Sequence, residues 1–184
     1  MRIARRITTR VAASSMVAAA AFALVGVQAT AQTASAATST QGPVMTACTT
    51  ANTKLTVEDV SRPINTLLLT ATNTGTKPCN LYSAPFLSTH PDAQAPMPWL
   101  ESSKPQAVVT LAPGESGYAG IGTSSPDGED GHTAKNLGVN FADRGGFGSV
   151  GKGTTLKLPG DGTYFNSANF VTYWQSDVYD ALFG

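Results

Sequence analysis

LLLTATNTGTKPCNLYSAPFL, residues 67–87, holds the pattern on which the fold turns. Leu67, Leu69 and Ala71 recur at every second position, with Leu68, Thr70 and Thr72 between them. Successive side chains of an extended chain point to opposite faces, so this spacing predicts a strand with one apolar face. Asn73-Thr74-Gly75 ends it, and Gly75 is expected to take a positive φ that other residues avoid. Leu81–Leu87 predicts a further strand with Tyr82, Ala84 and Phe86 on one side.

The same grammar extends both ways. Upstream, Lys54–Val60 places Leu55 and Val57 on one face, with Val60 out of phase, so a bulge or strand end falls near Asp59. Downstream come Ala107–Leu111, Tyr118–Gly122, Leu137–Phe141, Thr154–Leu158 and Asn169–Gln175. Pro113-Gly114 fits the centre of a type II turn, since proline presets φ and glycine accepts the left-handed position. Gly160-Asp161-Gly162 is a similar joint. Only Ser176–Phe183 reads as a helix, and two turns are marginal without packing. About seven or eight short strands predict an all-β fold, an antiparallel immunoglobulin-like β-sandwich. A barrel is the alternative, because spacing does not show closure.

Cys48 and Cys79 are the only cysteines. In an oxidising compartment they should pair, tying the segment before the first strand to the start of the third. Closing a loop of ~32 residues is worth about 3.5 kcal/mol in the chain-entropy estimate.

The compartment follows from the N-terminus. Arg2, Arg5, Arg6 and Arg10 precede an apolar run from Val11 to Val27, and Ala34-Ser35-Ala36 and Ala29-Thr30-Ala31 are small-x-small cleavage patterns. Residues 1–36 therefore predict a secretory signal peptide, cut after Ala36 or Ala37, with Ala31 second. The run is of ~17 weakly apolar residues, at the bottom of the spanning range, so no stable membrane insertion is expected after cleavage. Residues 37–47, rich in Ala, Thr and Ser, predict a disordered lead-in. Residues 48–184 form a single domain with a short C-terminal tail. The destination is extracellular or cell-wall associated.

Four of the 12 basic residues are leader arginines, so eight remain against 12 acidic ones, a formal net charge of −4. No Lys/Arg cluster follows residue 10, which argues against nucleic acid or an anionic membrane as partner.

Catalytic groups are scarce. His90 and His132 are the only histidines, and both are expected in solvated loops. Gly114-Glu115-Ser116-Gly117 is one residue short of a nucleophile elbow and sits at a β-turn. Asp127-Gly128-Glu129-Asp130-Gly131-His132 lacks the spacing of a calcium loop. Gly146 and Gly151-Lys152 have Walker spacing, but Gly153 replaces the hydroxyl that holds the metal, so residues 145–153 read as a flexible loop. No catalytic residue, cofactor or metal is assigned, and the domain is not expected to be an enzyme. The remaining candidate is His90–Pro105, HPDAQAPMPWLESSKP, where four prolines hold Met97, Trp99 and Leu100 extended. It is a candidate partner-binding loop. The competing reading is that Trp99 folds down to cap one end of the core.

Leu67–Leu87 and Val108–Ile121, VVTLAPGESGYAGI, together resemble a secreted actinobacterial family known as a domain of unknown function. Cys48, Asn73, Thr74, Gly75, Cys79, Leu81, Pro85, Leu111, Ala112, Pro113 and Gly114 match its NTG…C and LAPG pattern, over roughly residues 48–175. The resemblance implies an extracellular β-sandwich and supplies no catalytic residues. Two departures stand out: Ser83-Ala84-Pro85 replaces a glycine-aromatic-proline step, and a second cysteine pair is missing. The expectation is a secreted, non-catalytic binding or accessory domain, its partner an extracellular protein or a cell-wall polysaccharide. A protease inhibitor offering Met97, or an enzyme of unfamiliar type, are the alternatives.

Overall fold

Burial along residues 66–73 follows the sequence pattern: Leu67, Leu69 and Ala71 are buried in the core, and the threonines between them are half-exposed. The computed structural model describes residues 43–90, 93 and 95–184; the expected signal peptide and residues 37–42 lie outside them. In chain order the strands are Thr53–Asp59 (β1), Thr66–Asn73 (β2), Cys79–Leu81 (β3), Phe86–Ser88 (β4), Trp99–Leu100 (β5) and Val109–Leu111 (β6). Ser116–Gly122 (β7), His132–Ala134 (β8), Asn136–Ala142 (β9), Ser149–Lys157 (β10), Thr163–Phe165 (β11) and Phe170–Thr172 (β12) follow. A six-residue helix, Val178–Phe183 (α1), closes the chain.

Five strands form one sheet in the order β1-β2-β7-β12-β5, and three form a second, β10-β9-β4. β3–β6 and β8–β11 are separate antiparallel pairs. One continuous core lies between them. Leu67, Leu69, Ile121 and Val171 come from the first sheet and Leu87, Leu137, Val139 and Phe141 from the second, with Leu81, Leu111 and Trp174 joining. This is an all-β sandwich, and Cys48 is bonded to Cys79.

The structure departs from the expected strands in four ways. The strand read over Leu81–Leu87 is broken in two. Ser83 takes φ 51°, a left-handed conformation that interrupts an extended run. The chain crosses there from one layer to the other, so Leu81 pairs with Val109 while Phe86 pairs with Asn140. Breaks of this kind give twelve strands among the described residues. Second, the pairing is not wholly antiparallel: β5 lies parallel to β12, with Trp99 beside Val171. The proline-rich segment returns there, and the Val171 N–H donates to the Pro98 carbonyl at 2.9 Å.

Third, the lead-in is ordered sooner than its composition suggests. Ala47 bridges Asn80, the Asn80 N–H donates to the Thr46 carbonyl at 2.8 Å, and its Nδ2 donates to the Val44 carbonyl at 2.6 Å. The disulfide holds this segment beside β3, so its backbone pairs without needing apolar side chains. Fourth, Ser149–Gly153, read as part of a flexible loop, is the first half of β10. A bulge between Val150 and Thr154 absorbs the glycines, with Gly151 at φ 74°.

On the outer face of the larger sheet, α1 packs against β7 and β2. Asp177 caps it by accepting from the Tyr179 N–H at 2.7 Å. A side chain at Gly120 would collide with the Ala181 carbonyl, so the glycine admits the helix. Leu68, opposite Gly120 in register, is only 5% exposed on this face.

Candidate functional site

The residues that stand out as motifs build a latch. Asn73 is 1% exposed, and its side chain is fully used. Nδ2 donates to the carbonyls of Lys77 and Leu111, both at 2.9 Å, and Oδ1 accepts from the Gly75 N–H at 2.9 Å. Its backbone N–H donates to the Glu115 carbonyl at 2.9 Å, and its carbonyl accepts from the Gly114 N–H at 2.8 Å. Gly114 has φ 85°, and the Glu115 N–H donates to the Ala112 carbonyl at 3.0 Å, as the type II reading requires. Gly75 departs from expectation. Its φ is not positive, and a side chain there would stand 3.2 Å from Asn73 Oδ1, a tight contact that Asn73 would have to relieve by a few tenths of an ångström. With Cys79 paired to Leu111, the two motif stretches form one hydrogen-bonded unit closed by the disulfide.

From residue 95 to 100 the proline-rich stretch is folded down. Met97 is 7% exposed and belongs to the core, and its N–H donates to the Leu87 carbonyl at 2.8 Å. A buried side chain cannot be offered to a protease, so the inhibitor reading loses its presented residue. Trp99 is half-buried. Its ring lies 4.9 Å from Phe86 and 5.6 Å from Tyr173, and its Nε1 donates to the Pro85 carbonyl at 3.2 Å. Leu100 is half-buried in β5. Trp99 therefore packs, half-buried, against the core. Beside it, the Tyr173 hydroxyl donates to the Glu101 carboxylate at 3.0 and 3.1 Å, and Lys104 Nζ sits 5.7 Å over the ring. Burial, then that hydrogen bond and the carboxylate charge, raise the Tyr173 pKa.

His132 is not in a loop. It opens β8, shares a 2.9 Å hydrogen bond with Thr89 Oγ1 and stacks on Phe165. The acidic loop before it is tied at both sides: Asn166 Nδ2 donates to the Ser125 carbonyl, and the Glu129 N–H donates to Ser167 Oγ at 2.9 Å. Among the described residues no three His, Cys, Asp or Glu side chains are grouped as metal ligands.

A groove absent from the sequence reading runs over the outward face of β10-β9-β4. Alternation in β9 buries Leu137, Val139 and Phe141 and turns Asn136, Gly138 and Asn140 outward. Register sets Phe86 beside Asn140, and Ser88 and Thr155 on either side of Gly138. Two cavities of about 400 and 320 Å³ lie on this face, and a third of about 200 Å³ adjoins them between β4 and the proline-rich segment; Ser88 lines all of them. The glycines keep the floor low: a Cβ at Gly138 would stand 2.6 Å from Ser88 Oγ, and one at Gly153 would collide with Asn140 Oδ1. Pro96 stands on one side and Phe147 at one end. Phe147 is 97% exposed. The signals were outward polar residues at period two and an aromatic set between glycines. Neither forms a linear motif.

A family model described as Domain of unknown function (DUF4232) matches residues 48–175. No curated protein and no solved structure matches the chain.

Proposed function

Because the chain belongs to the family described as Domain of unknown function (DUF4232), we propose that it is an exported, non-catalytic binding module whose ligand lies in the groove over β10-β9-β4. The observation that carries this reading is the groove with the fully exposed Phe147 at its end. A large aromatic held in water at the end of a cleft offers an apolar contact to whatever the cleft takes up. Export is supported by the basic, apolar and small-residue segments of the leader and agrees with a Cys48–Cys79 disulfide. A non-catalytic role fits the chemistry of the wall, whose described titratable side chains are His90 and Lys135 amid hydroxyls and amides. The partner is extracellular, a protein or a cell-wall polysaccharide.

The test is affinity capture from culture supernatant and cell-wall extract, with the mature domain immobilised beside Ser88→Trp. Tryptophan there fills the groove from its shared residue. A component retained by the wild type and lost by a folded Ser88→Trp is the expected result. Equal retention by both, or none by either, would overturn the proposal.

A further inference from the structure

We infer that the groove takes an uncharged, linear glycan laid along β9, with one sugar ring stacked on Phe147. The inference rests on the groove being the binding site and goes further by naming the ligand's chemistry.

The first ground is the lining. Ser88, Thr89, Thr133, Asn136, Asn140, Ser149 and Thr155 bring hydroxyls and carboxamides. Such groups both donate and accept, as sugar hydroxyls do, so the two sets can pair in many registers. Among the described residues that line the cavities, the only charged side chain is Lys135, at one end, and Lys157 stands beside Asn136 there. A polyanion would meet only Lys135 and Lys157, both at the Asn136 end, and a basic segment would find no carboxylate among the described lining residues. A purely apolar ligand would strip water from these amides and return no hydrogen bonds, which is costly.

The second ground is Phe147. It is held out by a closed turn: the Asp143 N–H donates to the Gly148 carbonyl at 2.7 Å, and the Gly146 N–H donates to the Asp143 carbonyl at 3.1 Å. Gly146 takes φ 74°, and a side chain there would approach Ser83 Oγ at 3.0 Å, so the turn is seated against the body of the domain. A ring displayed on a pre-ordered turn loses little entropy when covered. A pyranose offers an apolar C–H face to such a ring and hydroxyls at its rim to the neighbouring Asn140 and Ser149.

The third ground is shape. The outward residues of β9, Asn136, Gly138 and Asn140, span roughly 13 Å at about 3.3 Å per residue, and the turn that carries Phe147 lies beyond them. That length suits several linked units. An extended peptide is less well matched, because it adds to a sheet through an open edge, whereas the floor here is a face of side chains.

The experiment is co-sedimentation of the mature domain with insoluble cellulose, chitin and β-1,3-glucan, with polygalacturonate beads as the charged control. The expected result is retention on at least one neutral polymer, competed by the soluble hexaose of the same sugar. Phe147→Ala should lower the retained fraction at least tenfold with an unchanged melting temperature, and Phe147→Trp should stay within about threefold of wild type. Absence from every neutral polymer, preference for the charged beads, or wild-type retention by Phe147→Ala would overturn the glycan assignment. If these fail while Ser88→Trp still abolishes capture from the extract, the glycan class is wrong and the groove stands. If Ser88→Trp captures like wild type, the groove itself is wrong.

Discussion

Asn73 and Asn140 are the same residue type put to opposite uses. Asn73 lies under the Pro113-Gly114 turn with both amide hydrogens and its oxygen engaged by backbone partners. Asn140 stands on the outward face of β9, over Gly153 and at the wall of the groove. The first joins two turns that are far apart in the chain. The second belongs to a surface assembled from three short strands. The residues easiest to see as a motif hold this fold together, while the surface proposed to take a ligand has no linear signature.

If that division is right, damage to the latch end should cost stability and damage to the groove should not. The largest effect is expected from the disulfide. Reducing it, or replacing both Cys48 and Cys79 with alanine, should lower unfolding free energy by about 3.5 kcal/mol in urea titrations, the chain-entropy value for this loop. Next is Trp99→Ala, which lies outside the latch and strips packing from the core beside Phe86 and Tyr173. A loss of about 3 kcal/mol is expected, the low end for truncating a large aromatic, because the ring is half-buried. A melting curve like wild type would contradict that packing role.

Asn73→Ala comes third. It leaves the buried Leu111 carbonyl without its donor and should cost about 2 kcal/mol, within the range for an orphaned buried polar group. Asn73→Asp sharpens this result. It keeps the acceptor for Gly75 but loses the amide donors, so it should not rescue stability.

A smaller effect is a pH dependence. The folded Tyr173 hydroxyl has a pKa raised above the usual 10.0, so the folded state holds its proton more tightly than the unfolded chain. Its contribution is complete below pH 10 and is lost as pH rises through the folded pKa. Stability should therefore fall in alkaline solution, and Tyr173→Phe should shallow that fall. An equal slope in both proteins would contradict the assignment. The smallest effect is expected from Phe147→Ala, within ~0.5 kcal/mol of wild type, because the ring touches little of the folded protein.

Much of the latch was legible in the sequence. The two cysteines, the Pro113-Gly114 turn and the alternation of Leu67, Leu69 and Ala71 are each local, and local chemistry decides them. Gly75 shows the limit of that reasoning. Its φ is not positive, and the tight neighbour of a side chain there is Asn73 Oδ1 at 3.2 Å, a contact set by how Asn73 bonds across to Leu111. Ser83 shows another. Nothing about serine announces a positive φ, so the break between β3 and β4 and the change of layer were hidden. The parallel β5–β12 pair joins residues about seventy apart, and no periodicity reports such a pairing. The groove was illegible for the same reason. Phe86, Ser88, Gly138, Asn140 and Thr155 become neighbours only through strand register. Phe147 alone left a trace, as an aromatic among glycines with no apolar partner at strand spacing.

The contrast between the two regions can be read in one titration. Amide resonances of the 15N-labelled mature domain would be followed as the competing soluble hexaose is added. The account predicts that Ser88, Gly138, Asn140, Gly148 and Thr155 shift in proportion to occupancy while Asn73, Gly75, Cys79 and Gly114 stay in place. Shifts centred on the Asn73–Gly114 latch, with the β10-β9-β4 face unmoved, would contradict it.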